Sequence, residues 1–205
     1  MKLIWHGHSC FELVSTEGTA VFDPYAPGSV PGLRLPRLQA DAVLCSHYHR
    51  DHGYAEAVTL SGRTPGFTVE RIPCFHDEKR GSLRGKNVIH IVKAEGLRVA
   101  HLGDLGHMLS QEQLERLGKP DLLLIPVGGH YTIDAQTAAK LARAVGARVT
   151  VPMHYRGATF GYAEIGTVED FTERMENPRF ADTNVLDVAE TEPGVVVLRC
   201  PGENE

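Results

Sequence analysis

The stretch SHYHRDHG, residues 46–53, sets three histidines and an aspartate within six positions, directly after the apolar run AVLC. His47 and His49 are two apart and point the same way from an extended segment, while Asp51 and His52, beyond a bend, face a neighbouring point. Imidazole nitrogen and carboxylate oxygen suit a borderline divalent cation such as zinc, and also iron or manganese, with no thiolate needed. A polar turn with a helix cap at Asp51 would account for one of the four residues and leave three histidines unexplained.

Four ligands in one turn cannot close two coordination spheres, so other strand ends are expected to supply the rest. His76 follows TVERIPCF, Asp104 follows LRVAHLG and His154 follows ARVTVPM; each is the first strong ligand type at or just past the end of a predicted strand. Singly these are ordinary loop residues. Their recurrence in one chain carries the weight.

HYHRDH followed by single His, Asp and His in that order resembles the metallo-β-lactamase superfamily of dinuclear hydrolases, and the likeness spans residues 2–154. GHSCF, DP, HLGD, PVGGHYT and PMHY are most similar to small metal-dependent hydrolases related to ascorbate-6-phosphate lactonase. The resemblance implies an α/β fold, an αββα sandwich of two mixed β-sheets flanked by helices, with two divalent metals at one sheet edge. Zinc is the first expectation, with manganese or iron as alternatives. By the same resemblance His47, His49 and His76 hold one metal, Asp51, His52 and His154 the other, and Asp104 bridges them. Asp51 gains a second, catalytic role as proton acceptor. An aspartate at 104 sets the chain apart from branches with cysteine there, and fits branches that act on esters and phosphodiesters.

Two cations about 3.5 to 4 Å apart can share a water and bring its pKa from about 15.7 toward 7, so a hydroxide nucleophile exists at neutral pH. The expected activity is metal-dependent hydrolysis of a small, anionic ester, lactone or phosphodiester. Iron-dependent redox chemistry and nuclease-type phosphodiesterase activity on the same fold are the alternatives. A non-catalytic binding protein fits least, because the ligand set is complete.

Other residues near these motifs carry two readings each. Asp23 either orients a ligand histidine through its second ring nitrogen or starts the turn at Pro24. His8 either lines the substrate pocket or shapes a turn, and His107 is similarly open between substrate contact and loop residue. His130 lies in PVGGHYTID, where paired glycines allow close backbone approach and a helix start offers N–H groups to an anion; it is expected to act as general acid or substrate contact. In the basic loop HDEKRGSLRGKN, Arg84 is set between glycines and is expected to grip a phosphate or carboxylate. His6 reads as structural, and His90 and His101, inside predicted strands, receive no role.

The elements that must position these groups follow from period-2 and period-3.6 patterns. Strands are expected near 2–6, 10–14, 19–23, 42–45, 67–73, 88–93, 97–102, 121–126, 147–152, 184–188 and 195–199, with hairpin turns at STEG and AEG. Helices are expected near 53–59, 111–117, 134–145 and 168–176, with Ser110/Gln113 and Thr167/Asp170 as capping pairs. Residues 23–37, with four prolines and two glycines, are expected as a surface loop at the mouth of the site.

A chain of 205 residues suits a single domain over 1–205. A net charge of −5 gives no global attraction to nucleic acid, which makes a small molecule the expected partner. Four cysteines without CxxC pairing read as reduced thiols, and no run reaches the roughly 18 apolar residues of a membrane span. With no signal-peptide pattern at the start, the expected location is cytoplasmic. Oligomeric state has no motif, and neither loop 24–37 nor residues 155–205 carries a readable one.

Overall fold

The computed structural model describes residues 1–202; the final three positions of the expected 1–205 domain lie outside the described residues. The first strands are β1 (Lys2–Trp5), β2 (Phe11–Ser15), β3 (Gly18–Phe22), β4 (Leu38–Ala40), β5 (Ala42–Leu44) and β6 (Val58–Leu60). The middle of the chain forms β7 (Thr68–Phe75), β8 (Lys86–Ala94), β9 (Leu97–His101), α1 (Gln111–Leu117), β10 (Leu122–Pro126), α2 (Ala135–Val145) and β11 (Val149–Met153). It ends with α3 (Glu169–Thr172), β12 (Arg179–Phe180), β13 (Val185–Asp187) and β14 (Gly194–Val197).

Alternation in the first three strands aims Leu3, Trp5, Phe11, Leu13, Ala20 and Phe22 into the main core. Val21 points to the opposite face, where it joins a smaller cluster with Tyr25, Val30, Leu38 and Val58. These strands belong to a mixed five-stranded sheet of order β13-β1-β2-β3-β5. The second sheet has seven strands in the order β12-β14-β11-β10-β9-β8-β7. Every residue of β10 and β11 is buried, as expected of parallel strands covered on both faces. The helix α2 supplies cover with a stripe of Ala135, Ala138, Ala139, Leu141, Ala142 and Val145. Asp134 caps its start by accepting from Thr137 N–H, and Gly146 ends it in the left-handed region. Two mixed sheets packed face to face with helical cover make the expected α/β sandwich.

Strand direction decides where chemistry can collect. Because β8 is antiparallel to both β7 and β9, and β9, β10 and β11 are mutually parallel, the chain leaves β7, β9 and β11 at the same edge. In the other sheet β5 runs parallel to β3. The opposite edge is tied by the two hairpin turns: Glu95 accepts from Thr16 N–H at 2.6 Å and pairs with the N-terminal amine at 3.0 Å.

Three expectations are corrected. Residues 53–59 are not a helix: a 3₁₀ turn at Ala55–Ala57 leads into β6, which pairs in parallel with β4. The β-branched Val58 and Thr59 favour this ladder, and neither β4 nor β6 was foreseen. The last helix is one turn, Glu169–Thr172, and of its expected cap only the reach-back of Asp170 to Thr167 N–H forms. The short edge strand β12 was also unforeseen. The 23–37 segment is irregular as expected, yet Tyr25, Ala26 and Val30 are buried. At Gly32 (φ +73°) an added Cβ would fall 1.9 Å from Thr159 O, so this loop lies directly on the chain beyond β11. Among the described residues no helix is long and apolar enough to cross a membrane.

The capping box at Ser110 and Gln113 is complete. Ser110→Ala should therefore cost about 0.5–2 kcal/mol, and Leu124→Ala in the buried β10 about 2–5 kcal/mol. Denaturant unfolding should rank the two variants in that order.

Candidate metal centre

The ligand candidates converge at the edge where β5, β7, β9 and β11 end. Ligand atoms of His47, His49 and His76 lie within 4.8 Å of one another, as do those of His8, Asp51, His52 and His154. A third such group, His47, His52 and Asp104, joins the two. Asp104 is central: its Oδ2 lies 3.2 Å from His52 Nε2, 3.2 Å from His76 Nε2, 3.3 Å from His154 Nε2 and 3.9 Å from His47 Nε2. All seven residues expected as ligands are thus gathered.

The donor set fits divalent metal on the chemistry of its own atoms. His47 Nε2, His52 Nε2, His154 Nε2 and Asp104 Oδ1 are buried without a hydrogen-bond partner. Buried polar atoms left without partners are rare because desolvation costs about 1–3 kcal/mol each. A cation would satisfy several at once.

A buried carboxylate orients two of these rings. Asp23 accepts from His52 Nδ1–H at 2.8 Å and from Ser46 N–H and Oγ–H, both at 2.6 Å. With its only proton committed to Asp23, the Ser46 hydroxyl accepts from His47 Nδ1–H at 3.0 Å. Both His47 and His52 therefore keep Nε2 turned inward. Asn87 performs a similar task for Asp104: its Oδ1 accepts from Asp104 N–H at 3.0 Å while Nδ2 donates to Leu102 O. Gly103 (φ +56°) is required between them, since an added Cβ would lie 2.3 Å from Ser46 Cβ. His90 donates to Cys45 O, and His101 bridges the sheets by donating to Ser9 O and accepting from Gly103 N–H. His8, Asp23 and His154 themselves have positive φ, uncommon outside glycine and a mark of imposed local geometry.

Without metal the cluster is an alternation of charges. Burial opposes ionisation of Asp104, but His154 and His52 outweigh it and hold its carboxyl well below the usual range. Asp51 is likewise lowered against its burial by His8 and His52, and Asp23 falls to about 2 through His101 and His52. His52, between Asp104 and Asp23, is raised well above 6.5 despite burial. Burial and neighbouring imidazoles lower His47 to about 3 and His8 to about 4.

The remaining expected site residues are spread differently. Arg84 lies over the Tyr131 ring, 5.7 Å from its centroid, and His130, exposed, meets the same ring edge-on at 4.5 Å. Tyr131 in turn meets Tyr162 at 5.8 Å. For His107 the geometry favours the loop reading: Nε2 accepts from Phe75 N–H at the end of β7 and Nδ1 donates to Met108 O in its own loop. It lines a separate cleft of about 530 Å³ with Phe75 and Arg80. Tyr162 is the residue that sequence reasoning missed. Its hydroxyl lies 3.2 Å from Asp51 Oδ2 and 2.6 Å from Ser29 O, joining the loop after β3 to the ligand turn. No spacing in GYAEIG signals this.

A two-sheet sandwich carrying this histidine and aspartate cluster at the strand ends defines the metallo-β-lactamase fold class. Residues 2–154 match the profile of the beta-lactamase superfamily domain, and the chain belongs to that family. The UPF0173 metal-dependent hydrolase of Methanoculleus marisnigri is 31% identical over 188 residues, covering 76% of this chain and 81% of its own. That of Archaeoglobus fulgidus is 28% identical, with 100% of this chain and 98% of its own covered. Among solved structures, a Thermotoga maritima protein provisionally described as a Zn-dependent hydrolase of the metallo-β-lactamase superfamily superposes with TM-score 0.77. It shares 33% identity over 96% of this chain and 97% of its own.

Two outcomes follow from the geometry. Asp23→Asn exchanges one acceptor oxygen for an NH2 donor, so the His52 Nδ1–H and the two Ser46 donors can no longer all be accepted, and it should weaken metal binding about 10–100-fold by chelator competition. In metal-free protein, His47 and His8 have folded-state pKa values below 6.5, so the unfolded chain binds more protons as pH falls through that value. Across the window from pH 6.5 to about 4, His52, raised in the folded state, opposes this only near the upper end, and the aspartates, lowered in the folded state, reinforce it toward the lower end. Stability should therefore fall on acidification across that window, and His47→Gln should flatten the curve. A denaturation midpoint that held or rose as pH dropped would contradict this assignment.

Proposed function

We propose that this chain is a metal-dependent hydrolase that uses a dinuclear centre to cleave a small anionic ester, lactone or phosphodiester. The observation that carries this reading is the Asp104 carboxylate set among inward-facing imidazoles from three other strand ends, with Nε2 of His47, His52 and His154 unpartnered. His47, His49 and His76 would hold one cation and Asp51, His52 and His154 the other, with Asp104 common to both. Nitrogen and oxygen donors without thiolate suit zinc, manganese or iron, zinc being preferred. Bound divalent cations supply Lewis acidity, which activates water at neutral pH and polarises the bond under attack.

The chain's own groups account for the rest. Asp51, ionised at neutral pH, takes the proton released as water attacks, at the Oδ2 that Tyr162 and His8 face. Arg84, resting on Tyr131, grips the substrate anion. His130, edge-on to the same ring, protonates or contacts the leaving group. Tyr131 and Tyr162 form a continuous wall from Arg84 down to Asp51, which suits a small substrate better than a polymer. Four cysteines without CxxC pairing, three of them buried, suit a reducing compartment such as the cytoplasm.

Protein loaded with Zn²⁺ or Mn²⁺ should hydrolyse generic lactones, esters or phosphodiesters, lose this with chelator, and fall at least about 100-fold in kcat with His49→Ala. Arg84→Ala should raise KM for anionic substrates about ten-fold, the scale of one charge-assisted hydrogen bond, and leave neutral esters unchanged. No metal-dependent turnover across such a panel would refute the reading.

A further inference from the structure

His8 stands outside the ligand motifs, yet it is 1% exposed and neither ring nitrogen has a hydrogen-bond partner. A fully buried imidazole with both nitrogens unsatisfied is costly and calls for a partner that protein atoms do not provide. The ring sits within the second ligand group, 4.2 Å from the His154 ring and 5.1 Å from the His52 ring between centroids. Its Nε2 lies 3.4 Å from Asp51 Oδ2 without forming a hydrogen bond, and all four donors of the group fall within 4.8 Å of one another.

The backbone is built to hold it there. His8 has φ +52° after Gly7 at φ +95°, and its carbonyl accepts from both Trp5 Nε1–H at 3.0 Å and His154 N–H at 3.3 Å. The neighbouring Ser9 carbonyl accepts from His101. The turn that carries His8 is thereby tied to the strand end that carries His154. A residue serving only to shape a turn would not need its side chain aimed into a buried cluster of ligands.

We infer that His8 is a fourth protein ligand of the cation held by Asp51, His52 and His154. The two metal positions are then unequal. One has three imidazoles from His47, His49 and His76; the other has three imidazoles and a carboxylate, with Asp104 shared. Counting the shared Asp104 at both, the second position has five protein donors and the first four, and the position with fewer protein donors keeps more room for substrate or water. The second cation would bind first and stay, and the first would exchange and face the substrate. The inference rests on the dinuclear reading above and sharpens it.

Co²⁺ reconstitution tests it. Paramagnetic NMR of the doubly loaded protein should show six coordinated imidazoles, from His8, His47, His49, His52, His76 and His154, and five in His8→Phe, which keeps ring volume without nitrogen. Chelator competition should show the tighter of two affinities weakened at least ten-fold in His8→Phe and in His8→Ala, whereas His49→Ala should weaken the other. Thermal unfolding of the metal-free variants serves as the control for folding. Five imidazoles in wild type, or an unchanged count in His8→Phe, would overturn the assignment of His8 while leaving two cations bound. Uptake of fewer than two Co²⁺ by wild type would overturn the dinuclear reading itself, and this inference with it.

Discussion

The constraint on which this molecule depends is the burial of the Asp104 carboxylate against imidazoles that arrive from separate strands. Charged and polar atoms withdrawn from water must find partners, and here they find them chiefly in one another. His52 lies between Asp104 and Asp23 and takes a charge that its burial would otherwise forbid. Several inward-facing atoms still lack a partner, so the cluster is incomplete as a purely protein structure. That incompleteness is what a metal centre requires: donors must stay uncommitted until the cation arrives.

Holding such a cluster open demands rigidity behind it. The sandwich provides this by closing a large apolar core from both sheets and bringing parallel strands out at one edge. Behind the ligands lies a further layer of fixed hydrogen bonds, with Asp23 setting His52 and His47, Asn87 setting Asp104, and His90 and His101 tethering the loops. Removal of any of these would free a ring or a loop rather than delete a ligand. The far edge is pinned separately through Glu95, so motion at the metal end need not loosen the fold.

Membership of the beta-lactamase superfamily is carried by residues 2–154; in the function proposed above, the substrate is governed by parts of the chain that the ligand motifs do not describe. Tyr131, Tyr162 and Arg84 come from three different loops, and Tyr162 is held by the 23–37 segment through Ser29. As a metal-dependent hydrolase, the chain thus combines a general reaction centre with a particular wall beside it. Differences between relatives in which small molecule is cleaved are expected to lie in such loops, where insertions and substitutions leave the core undisturbed.

The local sequence alone determined the seven ligand candidates and most strands, because ligand chemistry is written in residue type and strand alternation in spacing. HYHRDH, His76, Asp104 and His154 were legible in this way, as were the Ser110 capping box and the α2 helix. What only the tertiary structure decided were matters of long-range pairing. Residues 58–60 became a strand because residues 38–40 lie beside them, and His107 turned to the end of β7 because the Phe75 amide lies there. His8 and Tyr162 entered the site from about forty residues before the first ligand and from beyond the last. A side chain's neighbours depend on how sheets stack and which loops meet. Neither residue type nor spacing records those contacts.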